Sequence, residues 1–386
     1  MRVCFPFTGD SIGGSHLSSI ILIKRLISLG YEIVVLIHED GPLTREFEQQ
    51  NISFEKLELP TYVSFDSKSF TQLYKISITS YRIFQFLRAR SIDVVHTNDA
   101  RMHITWSLPA KVARVPHVWH QRTVLAPSRL GSVAIKFADA IACISEYVVK
   151  SWPDRLMHRS TVIPNAVENI YVDPNSRLVC RERMRNLTGI RDEFLVVGTF
   201  GNLRDVKDPL TVVRAFGKMQ QLWATPLILA VFGEDRDGYT PAMMDIAKNW
   251  GVADKLLLLG FKRPIEPWIS ACDVVFAASR GDAFGRTIIE AMQLGVPVVA
   301  TEAGGHIEIV DHMESGLLVQ VGNHSDMAIA GVKILENPAL RDKLVMNGKR
   351  IVATTYSVDT SAKRITEIYS ALGSGRYLES WKSNVT

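Results

Sequence analysis

Between Ser279 and Glu290 the chain reads as a polar loop containing Gly285, running into a short helix and then into an apolar strand ending near Ala300. A glycine at a helix start lets backbone come close to a ligand. The first amides of the helix have no partner within it, and they sit at the positive end of its dipole, which suits a phosphate. Asp282 in the loop and Glu290 in the helix frame this turn. Carboxylates repel phosphate, so their natural partners are hydroxyl groups. Amides for phosphate beside acids for hydroxyls describe a nucleotide-sugar site. Arg286 and Glu290 are four residues apart and can also simply pair on the helix surface.

Three other loops carry chemistry. Thr8 to His16 joins a strand to a helix through Gly13 and Gly14 and offers a second anion site, although its spacing is not the Gly-x-Gly-x-x-Gly of dinucleotide binders. A Gly-Gly turn is as often only a turn. His117 and His120 lie toward the end of another strand, where ligands bind in open α/β sheets. Two histidines three apart hint at metal, but no third ligand stands at a recognisable spacing. Arg204 and Lys207 occupy the loop after Phe200, where they can neutralise a diphosphate.

The elements that must position these residues follow one rhythm. Strands are predicted at Val3–Phe5, Ile33–Ile37, Asp93–His96, Val115–Trp119 and Ala140–Ile144, with helices between, which makes one doubly wound α/β domain over residues 1–170. Residues 171–191 read as a polar, basic linker leading into a helix. The rhythm restarts with strands at Phe194–Gly198, Leu227–Phe232, Leu256–Leu259, Val274–Ala277 and Val296–Ala300, giving a second domain over residues 192–365. A last helix, about 366–386, is free to pack back on the first domain. Phe70, Leu73, Tyr74, Tyr81, Phe84 and Leu87 recur at helical spacing among Lys75, Arg82, Arg88 and Arg90. That pattern suits an ordinary amphipathic helix and, less often, a membrane surface.

Composition narrows the class. The 386 residues are 47% hydrophobic and 22% charged, enough for two ordinary cores and against disorder. A net charge of +4, with no aromatic-basic motif, excludes a nucleic-acid binder. Cys4, Cys143, Cys180 and Cys272 form no Cys-x-x-Cys pair and read as buried thiols, which favours the cytoplasm. A strand begins almost at Met1, so no signal peptide is expected, and no run is apolar enough to span a membrane.

The order of these motifs resembles the retaining glycosyltransferases of family 4. Ser279, Asp282, Phe284, Gly285, Glu290, Ala291, Gly295, Pro297, Gly304, Gly305 and Glu308 follow the family phrase. Gly13-Gly14 resembles its N-terminal glycine loop, and His120 its Pro-x-x-x-His phrase. Asp139–Ser145 resembles the strand ending in Ser, Ile163–Val167 its Pro-Asn-Gly-Val, and Phe232-Gly233-Glu234 its Gly-x-Gly turn. The resemblance spans nearly the whole chain. It implies an α/β fold of two Rossmann-like doubly wound domains facing across a cleft (GT-B type), and transfer of a hexose from a UDP- or GDP-sugar.

It also implies roles. Glu290 takes the ribose hydroxyls, and the amides of Gly285, Arg286 and Thr287 take the distal phosphate. Lys207, helped by Arg204, balances the leaving diphosphate. Asp282 and backbone near Phe284 hold the sugar hydroxyls, and His120 contacts the sugar from the opposite domain. Gly13, Gly14, Asn202 and Gly233 complete the donor-binding set. The family needs no metal or other cofactor. Its acceptors include sugars and lipid-linked oligosaccharides of surface polysaccharide synthesis, which brings in peripheral contact with the inner face of the membrane.

Three positions depart from the pattern. Asp282 stands where the family has Glu, Asn202 where it has Arg, and Arg286 where it has an apolar residue. A sugar-nucleotide epimerase or phosphorylase on the same fold stays open as an alternative, as does a glycosyltransferase-like subunit that has lost activity. A nicotinamide dehydrogenase is disfavoured by the glycine spacing.

Overall fold

The computed structural model describes residues 1–63, 70–124, 129–157, 159–168, 171–190 and 193–374, with backbone alone at 70–73, 129, 130 and 155. They form two units. Among the described residues, one comprises those of 1–166 and 358–374, the other those of 167–357.

The first unit holds seven parallel strands: β1 Arg2–Phe7, β2 Glu32–Ile37, β3 Phe54–Lys56, β4 Val94–Thr97, β5 His117–Gln121, β6 Ala140–Cys143 and β7 Ser160–Val162. Their order across the sheet is β3-β2-β1-β4-β5-β6-β7. The second unit holds six: β8 Leu195–Phe200, β9 Leu227–Phe232, β10 Leu256–Gly260, β11 Val274–Ala277, β12 Val298–Thr301 and β13 Leu317–Val319, in the order β10-β9-β8-β11-β12-β13. All pairs are parallel, and the central strands are buried on both faces, as continuous runs such as Leu227-Ile-Leu-Ala-Val-Phe232 require. In each unit the strand order reverses beside its first strand, between β1 and β4 and between β8 and β11. Ligands bind doubly wound sheets beyond the strand ends at such a reversal.

Two boundaries differ from the sequence reading. Residues 171–191 are not a linker: Pro174–Thr188 is a helix, capped by the Asp173 carboxylate and ended by Gly189 in the left-handed region. Arg181 fastens it to the second unit through Asp273 at 2.9 Å and the carbonyls of Ala271 and Phe194. The second unit then ends at Ser357 rather than 365. The final helix Val358–Gly373 returns to the first unit, where Ala362, Ile365, Ile368 and Tyr369 join the core around Phe5 and Phe7. Asp359 pairs with Arg25 at 2.6 Å and the Ser361 hydroxyl donates to the Pro164 carbonyl at 2.9 Å. Residues 375–386 of the expected last helix lie outside the described residues. All four cysteines are free and buried.

Candidate functional site

The loops that follow β8 and β11 meet at the second unit's strand reversal. Hydrogen bonds stitch them together: the Ser279 hydroxyl and the Arg280 amide both donate to the Val206 carbonyl, at 2.8 Å each. Ser279 is itself fixed by Thr301 of β12, whose hydroxyl accepts its amide at 2.7 Å. This holds the one-turn 3-10 helix Asp205–Lys207 beside the loop carrying Asp282. The Lys207 ammonium therefore pairs with the Asp282 carboxylate across 75 positions of sequence.

A third segment closes the same point. Gly304 has φ +57°, and a Cβ there would stand 2.2 Å from the Asp282 carbonyl oxygen. The Gly305 amide donates to that oxygen at 2.8 Å. The Gly304-Gly305 turn is thus a backbone-on-backbone contact that no side chain would permit. It delivers His306, 2% exposed, with Nε2 3.7 Å from Asp282 Oδ2. His306 Nδ1 is buried without a hydrogen-bond partner among the described residues. Burial by itself would push the Asp282 carboxyl up. The Lys207 charge and hydrogen bond, with His306 close by, outweigh it and hold the group well below the usual carboxylate range.

Gly285, at φ +120°, begins the helix Arg286–Gln293 directly beside this cluster. No side chain caps that helix, and the Ile288 amide donates back to the Gly285 carbonyl at 3.0 Å. A small pocket of about 30 Å³ opens here, lined by Gly201, Lys207, Asp282, Gly285, Thr287 and His306 among others. The Thr287 hydroxyl donates to the Phe200 carbonyl at 3.4 Å. Phe284 is buried, its ring edge-on to Tyr356 at 5.8 Å.

The remaining predicted residues of this unit surround the pocket less directly. Glu290 takes two hydrogen bonds from Arg286 on one oxygen, at 2.9 and 3.2 Å. Its side chain is 15% exposed. Arg286, which the sequence also offered to a diphosphate, thus pairs with Glu290 on its own helix. Asn202 accepts from the Glu234 amide at 3.1 Å, joining the loop after β8 to the loop after β9. Gly233, at φ +128°, is needed there, since a Cβ would stand 2.1 Å from the Gly201 carbonyl oxygen. Arg204 is exposed at the start of the 3-10 turn.

In the first unit, Gly13 caps the N-terminus of the helix Gly14–Ser28 with extended backbone, and both glycines are exposed. His120 on β5 is 2% exposed. Its Nδ1 faces His96 Nε2 at 3.1 Å, and its Nε2 has no hydrogen-bond partner among the described residues. Burial first, then the Arg122 charge, push its pKa well below the usual value, so the ring is neutral. His117 is spent on Thr97 at 2.8 Å and Ser107 at 3.4 Å. Three positions apart on one strand, the two rings leave opposite faces and cannot share an ion.

His306 is the residue the sequence reading missed. It was visible only as the position after the Gly304-Gly305 pair, and its meeting with Asp282 depends on how that turn folds back.

A family model described as Glycosyl transferases group 1 matches residues 181–351, and one described as Glycosyltransferase Family 4 matches residues 12–169. The chain is 26% identical over 295 residues to an uncharacterised glycosyltransferase of Methanocaldococcus jannaschii, covering 72% of this chain and 75% of that one. It is 24% identical over 379 residues to the N-acetyl-alpha-D-glucosaminyl L-malate synthase of Bacillus anthracis, covering 94% and 93%. Among solved structures, Anabaena Alr3699/HepE in complex with UDP and glucose aligns with a TM-score of 0.79 at 23% identity, covering 96% of this chain and all of that one. At that identity the likeness speaks for the fold.

Proposed function

The chain belongs to glycosyltransferase family 4, with a fold of the GT-B type, and on that footing we propose that it moves a hexose-type sugar from a nucleoside diphosphate to a hydroxyl acceptor with retention of configuration. One observation carries the reading: Lys207, Asp282 and the uncapped helix start at Gly285 line a single pocket at a strand reversal. The amides of Gly285, Arg286 and Thr287 receive the distal phosphate. Lys207, helped by Arg204, neutralises the charge that grows as the diphosphate leaves, which is often the largest catalytic term. These cations take the part a divalent metal plays elsewhere, so the reaction needs no metal or other cofactor. Asp282 and backbone at Phe284 hold sugar hydroxyls, Glu290 the ribose, and His120 donates to the sugar. The acceptor oxygen attacks the anomeric carbon on the face the diphosphate leaves. The bond to the diphosphate breaks, and the acceptor's proton passes to the departing phosphate oxygen.

The donor we propose is a UDP- or GDP-hexose. A thermal-shift panel of sugar nucleotides tests this directly, because a ligand that binds only the folded state raises Tm. At 100 times its Kd the cognate donor adds about 2.7 kcal/mol of stability. A panel in which no sugar nucleotide moves Tm defeats the proposal.

For the acceptor we propose a sugar or lipid-linked oligosaccharide of surface polysaccharide synthesis, met by a cytoplasmic enzyme resting on the inner face of the membrane. The helix Phe70–Ala89 supports this. Ile83 and Leu87 are buried, while Tyr74 and Tyr81 are 64% and 60% exposed beside exposed Lys75, Arg82 and Arg88. Phe70 and Leu73 lie outside the described side chains. No helix among the described residues is long and apolar enough to cross a membrane. Each basic residue near an anionic surface is worth about 1 kcal/mol. Replacing Lys75 and Arg82 with alanine is therefore expected to weaken sedimentation with anionic vesicles about tenfold or more, and a wild-type protein that ignores such vesicles refutes the contact.

A further inference from the structure

A chain of buried rings leads from the C-terminal helix to His120. The Tyr369 hydroxyl lies 2.5 Å from His96 Nδ1, and His96 Nε2 lies 3.1 Å from His120 Nδ1. All three residues are at most 2% exposed. The Phe5 ring stacks on His96 at 4.6 Å and fixes its plane. The direction of the hydrogen bonds follows from one fact. Arg122 Nη2 stands 3.4 Å from the same His120 Nδ1, and a guanidinium can only donate. Arg122 is itself anchored, its Nε donating to Asn98 Oδ1 at 2.9 Å and its Nη1 to Asn165 Oδ1. His120 Nδ1 must then accept, so His96 Nε2 carries a proton. A neutral His96 has none left for Nδ1, which accepts from the Tyr369 hydroxyl. His120, also neutral, keeps its single proton on Nε2, the nitrogen with no partner among the described residues.

We propose that Arg122 and His96 are positioning residues that fix His120 in its Nε2–H tautomer, so that a buried ring offers a hydrogen-bond donor at Nε2. This rests on the reading of His120 as the group that meets the donor sugar. A sugar oxygen accepts from such a ring, whereas the opposite tautomer would offer a lone pair and demand a hydroxyl proton. The tautomer of a histidine is set by what its other nitrogen touches. Tyr369 supports the arrangement from the final helix, its hydroxyl donating to His96 Nδ1. Burial raises the Tyr369 pKa well above the usual value, and burial, ahead of the Arg122 and His117 charges, lowers that of His96. The phenol therefore stays a donor and the ring stays neutral through the physiological range.

Two-bond nitrogen–proton spectra of the full-length chain carrying 15N-histidine test this, with His120 assigned by its absence in His120→Gln. The expected result is one tautomer for His120 at neutral pH, protonated on Nε2. A wild-type His120 protonated on Nδ1 overturns the proposal without any further variant. In Arg122→Met, His120 Nδ1 loses the donor that obliges it to accept, and His120 is expected to lose its single tautomer and show a mixture. An unaltered His120 in that variant overturns the role of Arg122. UDP-glucose and GDP-mannose serve as probes of the underlying reading. A fixed Nε2–H ring that neither perturbs upholds the hydrogen-bond chain and overturns the sugar contact instead.

Discussion

Lys207→Ala is expected to lower sugar transfer by about 100- to 1,000-fold, the range seen when one preorganised donor to a developing anion is removed. Lys207 is the cation that the loop stitching delivers to the pocket, and its side chain is about a third exposed, so nothing in the core depends on it. Its loss should fall on kcat, because the charge it balances grows only as the bond to the diphosphate breaks. Lys207→Arg keeps the charge but not the reach past Asp282, and should recover only part of the rate. Single-turnover measurements with saturating donor check both. Full activity in Lys207→Ala would falsify the assignment of the pocket.

The same substitution makes a separate prediction about pH. In the wild type Asp282 is held well below the ordinary aspartate range, because the Lys207 charge and hydrogen bond, with His306 close by, outweigh burial. A group depressed in the fold stabilises it fully above its unfolded pKa of about 3.9, and that contribution is lost as pH falls through the folded value. Without Lys207, burial becomes the leading influence on a carboxylate that is 19% exposed. Its folded pKa moves up, and the group then opposes folding as pH rises. The Tm deficit of Lys207→Ala against wild type should accordingly be largest near neutrality and shrink toward pH 4. An unpaired buried acceptor typically costs about 1–3 kcal/mol, so the unit remains folded.

What the sequence revealed, and what it hid, divides by range. The central strands were readable because a parallel strand covered on both faces is one unbroken apolar run, as in β2, β9 and β11. The edge strands β3, β7 and β13 were not, since three residues such as Phe54-Glu-Lys56 carry no periodicity. Residues 171–191 read as a linker leading into a helix, yet the start and stop of Pro174–Thr188 within them are spelled out by Asp173-Pro174 and Gly189. Lys207, Asp282 and Gly285 were legible as members of one site because each sits at the end of a predicted strand. His306 was not, because its place depends on the Gly304 turn pressing on the Asp282 carbonyl. The competing reading of Arg286 and Glu290 as an i,i+4 pair is geometry present in the protein, largely buried, and the ribose is the second partner proposed for Glu290.

Glu290→Ala should test that second partner through a large loss of nucleotide affinity. If the carboxylate accepts the ribose hydroxyls, removing it costs about 1.5–3 kcal/mol of charge-assisted hydrogen bonding, or roughly 10- to 150-fold in Kd. A purely structural pair of this i,i+4 type is worth only about 0.2–0.5 kcal/mol, less than threefold. The affinity loss alone is ambiguous, since freeing Arg286 also alters the charge near the phosphates. Dideoxy nucleotides remove the ambiguity. Wild type should bind the preferred diphosphate, UDP or GDP, roughly 10- to 150-fold better than its 2′,3′-dideoxy form. Glu290→Ala should bind the two nearly equally, because the group that tells them apart is gone. Calorimetric titrations of both proteins with both nucleotides close the cycle, and any cost of the released Arg286 cancels between the two columns. A variant that still discriminates as wild type does would turn Glu290 away from the ribose and leave it a partner of Arg286 alone.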